Sequence, residues 1–169
     1  LLRDLRTVYC RPRRKAARDL LALAAPDFSG LHPGYLRAAL GKEAPARPSP
    51  LPGTEREAGA VKGLFAPGMA RVLTGRRATE SVLRRKTASE YRILLFATHG
   101  FVHRKDPLGS GLLLAAGRPG RKTGPPPAFR DGYLTAREIL GMDFGAAELA
   151  VLSACKTGLG GELRGEGLV

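Results

Sequence analysis

The chain has 169 residues, a length that suits one domain with a sizeable hydrophobic core. Its 28 Lys and Arg residues against 15 Asp and Glu residues give a formal net charge of +13, which raises the question of nucleic acid binding. However, the basic residues are scattered, few aromatic residues lie among them for base stacking, and GC-rich codons favour Arg, Ala, Gly and Pro. The composition therefore does not favour nucleic acid as a partner.

No apolar stretch is long enough to span a membrane, so we expect no membrane partner. The two cysteines, Cys10 and Cys155, lie far apart, which favours a reducing, cytoplasmic location while leaving a disulfide open. Two cysteines and three histidines without metal-ligand spacing argue against a zinc site. We expect neither a metal nor a cofactor.

The chain begins at Leu1 without Met and stops at Val169 after a glycine-rich stretch, so we interpret it as a piece of a longer protein. Residues 1–18 are basic and weakly periodic, as in a segment that leads in from upstream. We expect residues 19–169 to form one domain, incomplete at its C-terminus.

Apolar runs and turn signals predict strands alternating with helices along the chain. The predicted strands cover residues 19–25, 70–74, 91–98, 111–115 and 149–154. The predicted helices lie at residues 35–40, after Thr54, after Thr79 and over residues 134–140. Such alternation predicts an α/β fold with a mostly parallel sheet and helices on both faces.

Two of these helices have capping-box spacing at their starts. Glu57 follows Thr54 by three positions, and Glu138 follows Thr135 in the same way. The helix after Thr54 is expected to bury one apolar face, made of Ala58, Val61, Leu64 and Phe65.

A histidine and a cysteine each follow a predicted strand and precede a glycine-containing turn. His99 ends the run at residues 91–98, and Cys155, 56 positions later, ends the run at residues 149–154. The carboxyl ends of parallel strands are where active sites of α/β proteins collect. An imidazole beside a thiol stabilises the nucleophilic thiolate, so this pair predicts a cysteine peptidase.

The backbone around the two residues adds to this hypothesis. The N–H groups of Gly100 and Cys155 can form an oxyanion hole for a substrate carbonyl. Other thiol and phosphate chemistries do not fit, because Gly161 stands where a cysteine phosphatase needs Arg, and no P-loop glycine precedes Lys156. The alternative is a structural role, since a lone cysteine at a strand end is more often a small core residue. The other two histidines, His32 and His103, are expected at the surface.

The residues around His99 and Cys155 resemble the two signature motifs of CHAT domains. These motifs are Ala-Thr-His-Gly at residues 97–100 and Leu-Ser-Ala-Cys-Lys-Thr-Gly at residues 152–158. Supporting segments that resemble the family lie at residues 51–57, 78–80, 131–139 and 165–167. CHAT domains are caspase-like peptidase domains that often stand beside tetratricopeptide repeats in bacteria.

The resemblance implies a caspase-type fold, a His99–Cys155 dyad and backbone oxyanion donors from Gly100 and Cys155. It implies a protein substrate and control by a sensor module, such as tetratricopeptide repeats, elsewhere in the full protein. The chain stops before the strands and helices that follow the cysteine loop in this family. A catalytically inactive interaction or scaffolding module is the main alternative, and a nucleic-acid-binding domain is a weaker one.

An acidic residue between the two motifs suggests a substrate preference. If Asp131 faces the cleft, it would favour Arg or Lys before the cut through charge-assisted hydrogen bonds, with Glu138 as the other candidate. The alternative is that Asp131 starts a turn with Gly132 and that Glu138 serves only as a helix cap.

Overall fold

Strands and helices alternate through most of the computed structural model, which describes residues 14–84, 88–117 and 130–154. The strands of these ranges are β1 (Arg18–Pro26), β2 (Ala70–Gly75), β3 (Tyr91–Ala97), β4 (Gly100–Phe101), β5 (Gly111–Leu113), β6 (Tyr133–Thr135) and β7 (Leu149–Ser153). The helices are α1 (Pro33–Leu40), α2 (Pro52–Lys62), α3 (Ser81–Arg84) and α4 (Ala136–Leu140).

Four of the strands form a parallel sheet in the order β2-β1-β3-β7. β1 and β3 are its central strands, and residues 20–24 of β1 are completely buried. A strand covered on both faces needs apolar side chains at every position, which explains the unbroken apolar run of β1. All four strands correspond to runs that the sequence predicts.

The two faces of the parallel sheet are covered differently. Leu20, Ala22 and Ala24 pack on one face against Ala58 of α2. On the other face, Leu21 and Leu23 join a larger core cluster that includes Leu83 of α3 and Ile139 beside it from α4. Helices therefore pack on both faces of a mostly parallel sheet, which confirms the predicted fold class.

A second, antiparallel sheet of β4, β5 and β6 packs on the same side as α3 and α4. Its side chains alternate between two clusters, because successive residues of a strand point to opposite faces. Leu112 and Leu114 belong to the core under the parallel sheet, whereas Leu113 and Tyr133 pack with α1. The small sheet thus lies between the parallel sheet and α1.

Two strands of this small sheet differ from the prediction: β4, which begins at the Gly100 expected in a turn, and β6. The sequence places residues 134–140 in a helix, but residues 133–135 form β6 and pair with β5 from Leu113↔Tyr133 to Gly111↔Thr135. Three residues are too few to show a strand period, so this strand depends on its neighbour. The predicted capping box at the start of α4 is confirmed, since Thr135 and Glu138 each bond the other's backbone N–H.

The predicted start of α2 is wrong. The helix begins at Pro52, its N-cap is Leu51 without a side-chain hydrogen bond, and the Thr54 hydroxyl donates to the Leu51 carbonyl. Proline suits the first helical position because its φ is already helical and it has no N–H to satisfy. The helix ends at Lys62, so Leu64 lies outside it and is 80% exposed, contrary to prediction.

We expect Gly132→Ala to destabilise the fold by roughly 1–3 kcal/mol or more. Gly132 has a φ of +87°, and an added Cβ would overlap the Leu31 side chain and lie 2.7 Å from the Leu114 carbonyl oxygen. Gly59→Ala in α2 is the matched control, because it meets no atom within 4 Å and should stabilise by about 0.5–1 kcal/mol. Urea unfolding of both variants measures this, and equal stability of the two would contradict the prediction.

Candidate active site at the carboxyl end of the parallel sheet

The strand that ends before His99 lies beside the strand that leads to Cys155. β3 and β7 are paired up to Ala97↔Ser153, and the Thr98 N–H donates to the Ser153 carbonyl at 3.3 Å. A Cβ added to Gly100 would lie 3.7 Å from the Ala154 Cβ. The two strand ends therefore adjoin. Cys155 itself lies outside the described residues, so the predicted closeness of the His99 ring to its sulfur remains a prediction.

His99 is held in a nearly closed site, with 2% of its surface exposed. Its Nε2 lies 2.8 Å from the Ser49 carbonyl oxygen, and its ring centroid is 5.2 Å from that of Phe28. Because a carbonyl oxygen can only accept a hydrogen bond, Nε2 must carry a proton and donate it. In a neutral ring this leaves Nδ1 as the unprotonated nitrogen.

No motif in the sequence marks Ser49 as a site residue. Ser49 lies between Pro48 and Pro50, and proline restricts both its own φ and the conformation of the preceding residue. The backbone that presents the Ser49 carbonyl is therefore restricted before His99 bonds to it. The proline spacing was the available signal, but it does not name the residue that the carbonyl would contact.

An aromatic cluster continues from His99 across one face of the small sheet. Tyr35 of α1 stacks on Tyr133 with 4.6 Å between the ring centroids, and Phe101 packs edge-on against both. A cavity of about 160 Å³ lies between Phe28 and Tyr133, with Arg47 also in its wall. This concave surface shares Phe28 with the surroundings of His99.

Asp131 lies two positions before Tyr133 and is half-buried. Its Oδ1 accepts a hydrogen bond from the Tyr133 N–H at 2.8 Å, so the predicted turn is present. Burial, with a smaller contribution from the negative charge of Glu138, raises the pKa of Asp131 from 3.8 to about 6. The carboxylate is thus charged at neutral pH in a place where its charge is poorly solvated.

A second carboxylate supports the turn that follows Asp131. Glu80 is almost fully buried, and its Oε2 accepts a hydrogen bond from the Gly132 N–H at 3.4 Å. The sequence pattern does not predict this role of Glu80, although residues 78–80 form one of the segments that resemble the family. Glu80 therefore ties the loop after β2 to the start of β6.

The two remaining histidines have local structural roles. His32 is exposed as predicted and caps α1, where its Nδ1 accepts from the Gly34 N–H. His103 is only partly exposed, and its Nδ1 accepts from the N–H groups of Lys105 and Asp106 in a turn. The His32 carbonyl also accepts from the Tyr133 hydroxyl at 2.7 Å, and the His103 ring centroid lies 6.4 Å from that of Tyr35, so both residues adjoin the aromatic cluster.

Within the described ranges, no group of three or more His, Cys, Asp or Glu side chains could hold a metal ion. In the same part of the chain, no helix has both the length and the apolar character needed to cross a membrane.

A buried histidine at the carboxyl end of a parallel α/β sheet, beside the end of the neighbouring strand β7, is consistent with a caspase-like fold. The chain belongs to the CHAT domain family, whose family model matches residues 2–169. This match confirms the resemblance seen in the motifs around His99 and Cys155. No curated protein and no solved structure matches the chain.

We expect Asp131→Asn to change how stability depends on pH. The folded state holds the Asp131 proton up to about pH 6, whereas the unfolded chain releases it near 3.8. The folded state therefore binds more protons in this window, and this group's contribution to stability falls as pH rises from about 4 to about 6. An asparagine side chain cannot titrate, so the variant gains stability relative to the wild type across that window.

Melting temperatures of both proteins, measured in steps from pH 4 to pH 7, test this expectation. A constant difference between the two proteins across the whole series would contradict the raised pKa of Asp131.

Proposed function

We propose that the protein is a cysteine endopeptidase of the caspase-like type that uses His99 and Cys155 as a dyad. Membership of the CHAT family supports this, because that family is associated with caspase-like peptidases. So does the pairing Ala97↔Ser153, because each proposed catalytic residue follows its paired residue by two positions. The observation that carries the proposal is the hydrogen bond from His99 Nε2 to the Ser49 carbonyl, which leaves Nδ1 available as a base.

In the proposed mechanism, His99 Nδ1 takes the proton of the Cys155 thiol, and the thiolate attacks the peptide carbonyl carbon. The carbonyl oxygen becomes negatively charged and accepts hydrogen bonds from the N–H groups of Gly100 and Cys155. Such a donor contributes about 2.7–4 kcal/mol in a well-studied hydrolase. The imidazolium then protonates the leaving amine. Water attacks the thioester with His99 again acting as base, and the C–S bond breaks to release the carboxylic acid and regenerate the Cys155 thiol.

The Ser49 carbonyl fits both protonation states of His99 in this cycle. Nε2 donates to it in the neutral ring and in the imidazolium, so the hydrogen bond need not be exchanged when Nδ1 gains a proton. The carbonyl thus keeps the ring in one orientation throughout the cycle.

For the substrate, we propose Arg or Lys before the cut, bound by Asp131. Register places His99, Leu113 and Tyr133 on one face of the small sheet, and Asp131 accepts a hydrogen bond from the Tyr133 N–H. Its carboxylate is half-buried and has a pKa raised by desolvation, so a cationic side chain would compensate its charge. Glu138 is the weaker candidate, because its Oε2 is used in the capping box of α4.

The family resemblance suggests the partners and the cellular setting of the protein. We propose a protein substrate and a regulatory sensor module, such as tetratricopeptide repeats, in the same full-length bacterial protein. A cytoplasmic location and independence of cofactors belong to the same proposal.

A catalytically inactive interaction module is the second candidate function. The observation that favours it is the exposure of Leu149, Val151 and Leu152 on β7, the strand that leads to Cys155. Exposed apolar side chains on an edge strand are typical of a surface that another element covers. The next experiment separates the two candidates.

We expect Cys155→Ala and His99→Ala each to abolish peptide cleavage by the full-length protein while leaving it folded. The dyad needs both groups, since the thiol without its base is mostly protonated near neutral pH. Cleavage of a denatured protein mixture, followed by mass spectrometry of the new termini, measures activity toward cleavage sites of any sequence.

The controls remove a residue of the same type elsewhere. Cys10→Ala should keep full activity, and so should His32→Asn, because Asn can cap α1 in place of His32. Wild-type turnover by Cys155→Ala or His99→Ala would refute the dyad, and a wild-type protein without cleavage under any activating condition would favour the interaction module.

We expect Asp131→Asn to lower kcat/KM for substrates with Arg or Lys before the cut by roughly 10-fold or more, because a charged hydrogen bond contributes about 1.5–3 kcal/mol. Peptides that differ only at that residue, with Arg, Lys, Gln or Leu, measure the preference. Glu138→Gln is the matched control and should change the ratio between these peptides little. A wild-type preference for Asp or a large apolar residue would overturn the assignment of Asp131.

A further inference from the structure

Thr98 lies where the two sheets meet, directly before His99, and it is almost completely buried. Its backbone N–H donates to the Ser153 carbonyl of β7, and its hydroxyl donates to the Leu113 carbonyl of β5. Thr98 is therefore bonded both to the strand that leads to Cys155 and to the sheet that follows His99.

Two hydrogen bonds to Leu113 flank the peptide unit between Thr98 and His99, and the Thr98 hydroxyl makes one of them. The Leu113 N–H donates to the His99 carbonyl at 2.9 Å, while the Leu113 carbonyl accepts from the Thr98 hydroxyl. Because the Thr98 N–H is already used by Ser153, the hydroxyl is the donor that this residue has left for Leu113. The backbone that carries the imidazole is thus fixed against both neighbouring strands.

We propose that Thr98 is a positioning residue for His99, an inference that rests on the proposed peptidase function. Removing the hydroxyl leaves a buried carbonyl of Leu113 without its donor, which the chain can relieve only by moving. Such a shift displaces His99 from the Ser49 carbonyl and from the end of β7. Thr98 acts through His99 and does not contact the substrate.

This role predicts a specific kinetic signature. His99 acts on the thiol and on the leaving amine and does not itself bind the substrate, so its displacement lowers kcat and leaves KM nearly unchanged. A misplacement of about 1 Å in a catalytic group can cost roughly 100-fold in rate. A residue that only stabilised the fold would lower the amount of folded protein without changing kcat per folded molecule.

The experiment compares three variants in the full-length protein. Thr98→Val keeps the shape of the side chain without the hydroxyl, and Thr98→Ser keeps the hydroxyl. Thr74→Val is the matched control, because it removes a hydroxyl at the same edge of the sheet, two strands away from β3. Steady-state kinetics give kcat and KM, and iodoacetamide labelling of Cys155 between pH 5 and pH 9, followed by peptide mapping, gives the pH midpoint of alkylation.

Thr98→Val should lower kcat by roughly 10- to 100-fold at unchanged KM and shift the alkylation midpoint toward that of His99→Ala. Thr98→Ser should restore both values, and Thr74→Val should leave both unchanged. Wild-type kcat and a wild-type midpoint in folded Thr98→Val would overturn the inference. If Thr98→Val does not fold, Thr98→Ala takes its place under the same criteria.

The labelling series also separates this inference from the proposed function. If His99→Ala leaves the alkylation midpoint of Cys155 unchanged, the dyad is wrong and the proposed function fails with it. If His99→Ala shifts the midpoint and Thr98→Val does not, only the role of Thr98 is wrong.

Discussion

The chain passes from the parallel sheet into the antiparallel sheet at Thr98 and His99, and the hydrogen bonds made there join the two sheets. The Ser153 carbonyl accepts the Thr98 N–H and so connects this segment to β7. Leu113 bonds both the Thr98 hydroxyl and the His99 carbonyl and so connects the segment to β5. On β5, Leu112 points into the core under the parallel sheet, and Leu113 points into the cluster that packs with α1. The position of His99 is therefore coupled to the packing of both clusters, so the site depends on the whole fold.

The hydrogen-bond acceptor for the His99 ring is a backbone carbonyl and not a carboxylate. The Ser49 carbonyl accepts from Nε2 without adding a full negative charge to a nearly closed, aromatic-lined space. A buried carboxylate would have to be compensated for its lost hydration, whereas a carbonyl has a much smaller desolvation cost. Two prolines beside Ser49 limit the conformations of the segment and so reduce the entropy lost when it is ordered.

The acidic residues near the small sheet show how environment divides similar groups between roles. Glu138 accepts the N–H and hydroxyl of Thr135 and fixes the start of α4, and Glu80 accepts the Gly132 N–H and fixes the turn before β6. Asp131 accepts the Tyr133 N–H and still has a raised pKa, so burial of its charge is only partly compensated. Carboxyl groups with perturbed pKa values cluster at functional sites, which is why we propose Asp131 as the group that binds a basic substrate residue.

Local sequence patterns were enough to predict the central strands, the capping box of α4 and the place of His99 at a strand end. Those features have local signals, namely continuous apolar runs, fixed Thr–Glu spacing and a turn after the run. Three further features, β6, the start of α2 and the contact of His99 with Ser49, became known only from the folded chain. β6 is too short to carry a period, Pro52 overrides the capping signal of Thr54, and a backbone carbonyl is present in every residue. Which segment pairs with β5, and which carbonyl His99 contacts, is decided by residues far apart in the chain. No local pattern of a single sequence shows these contacts.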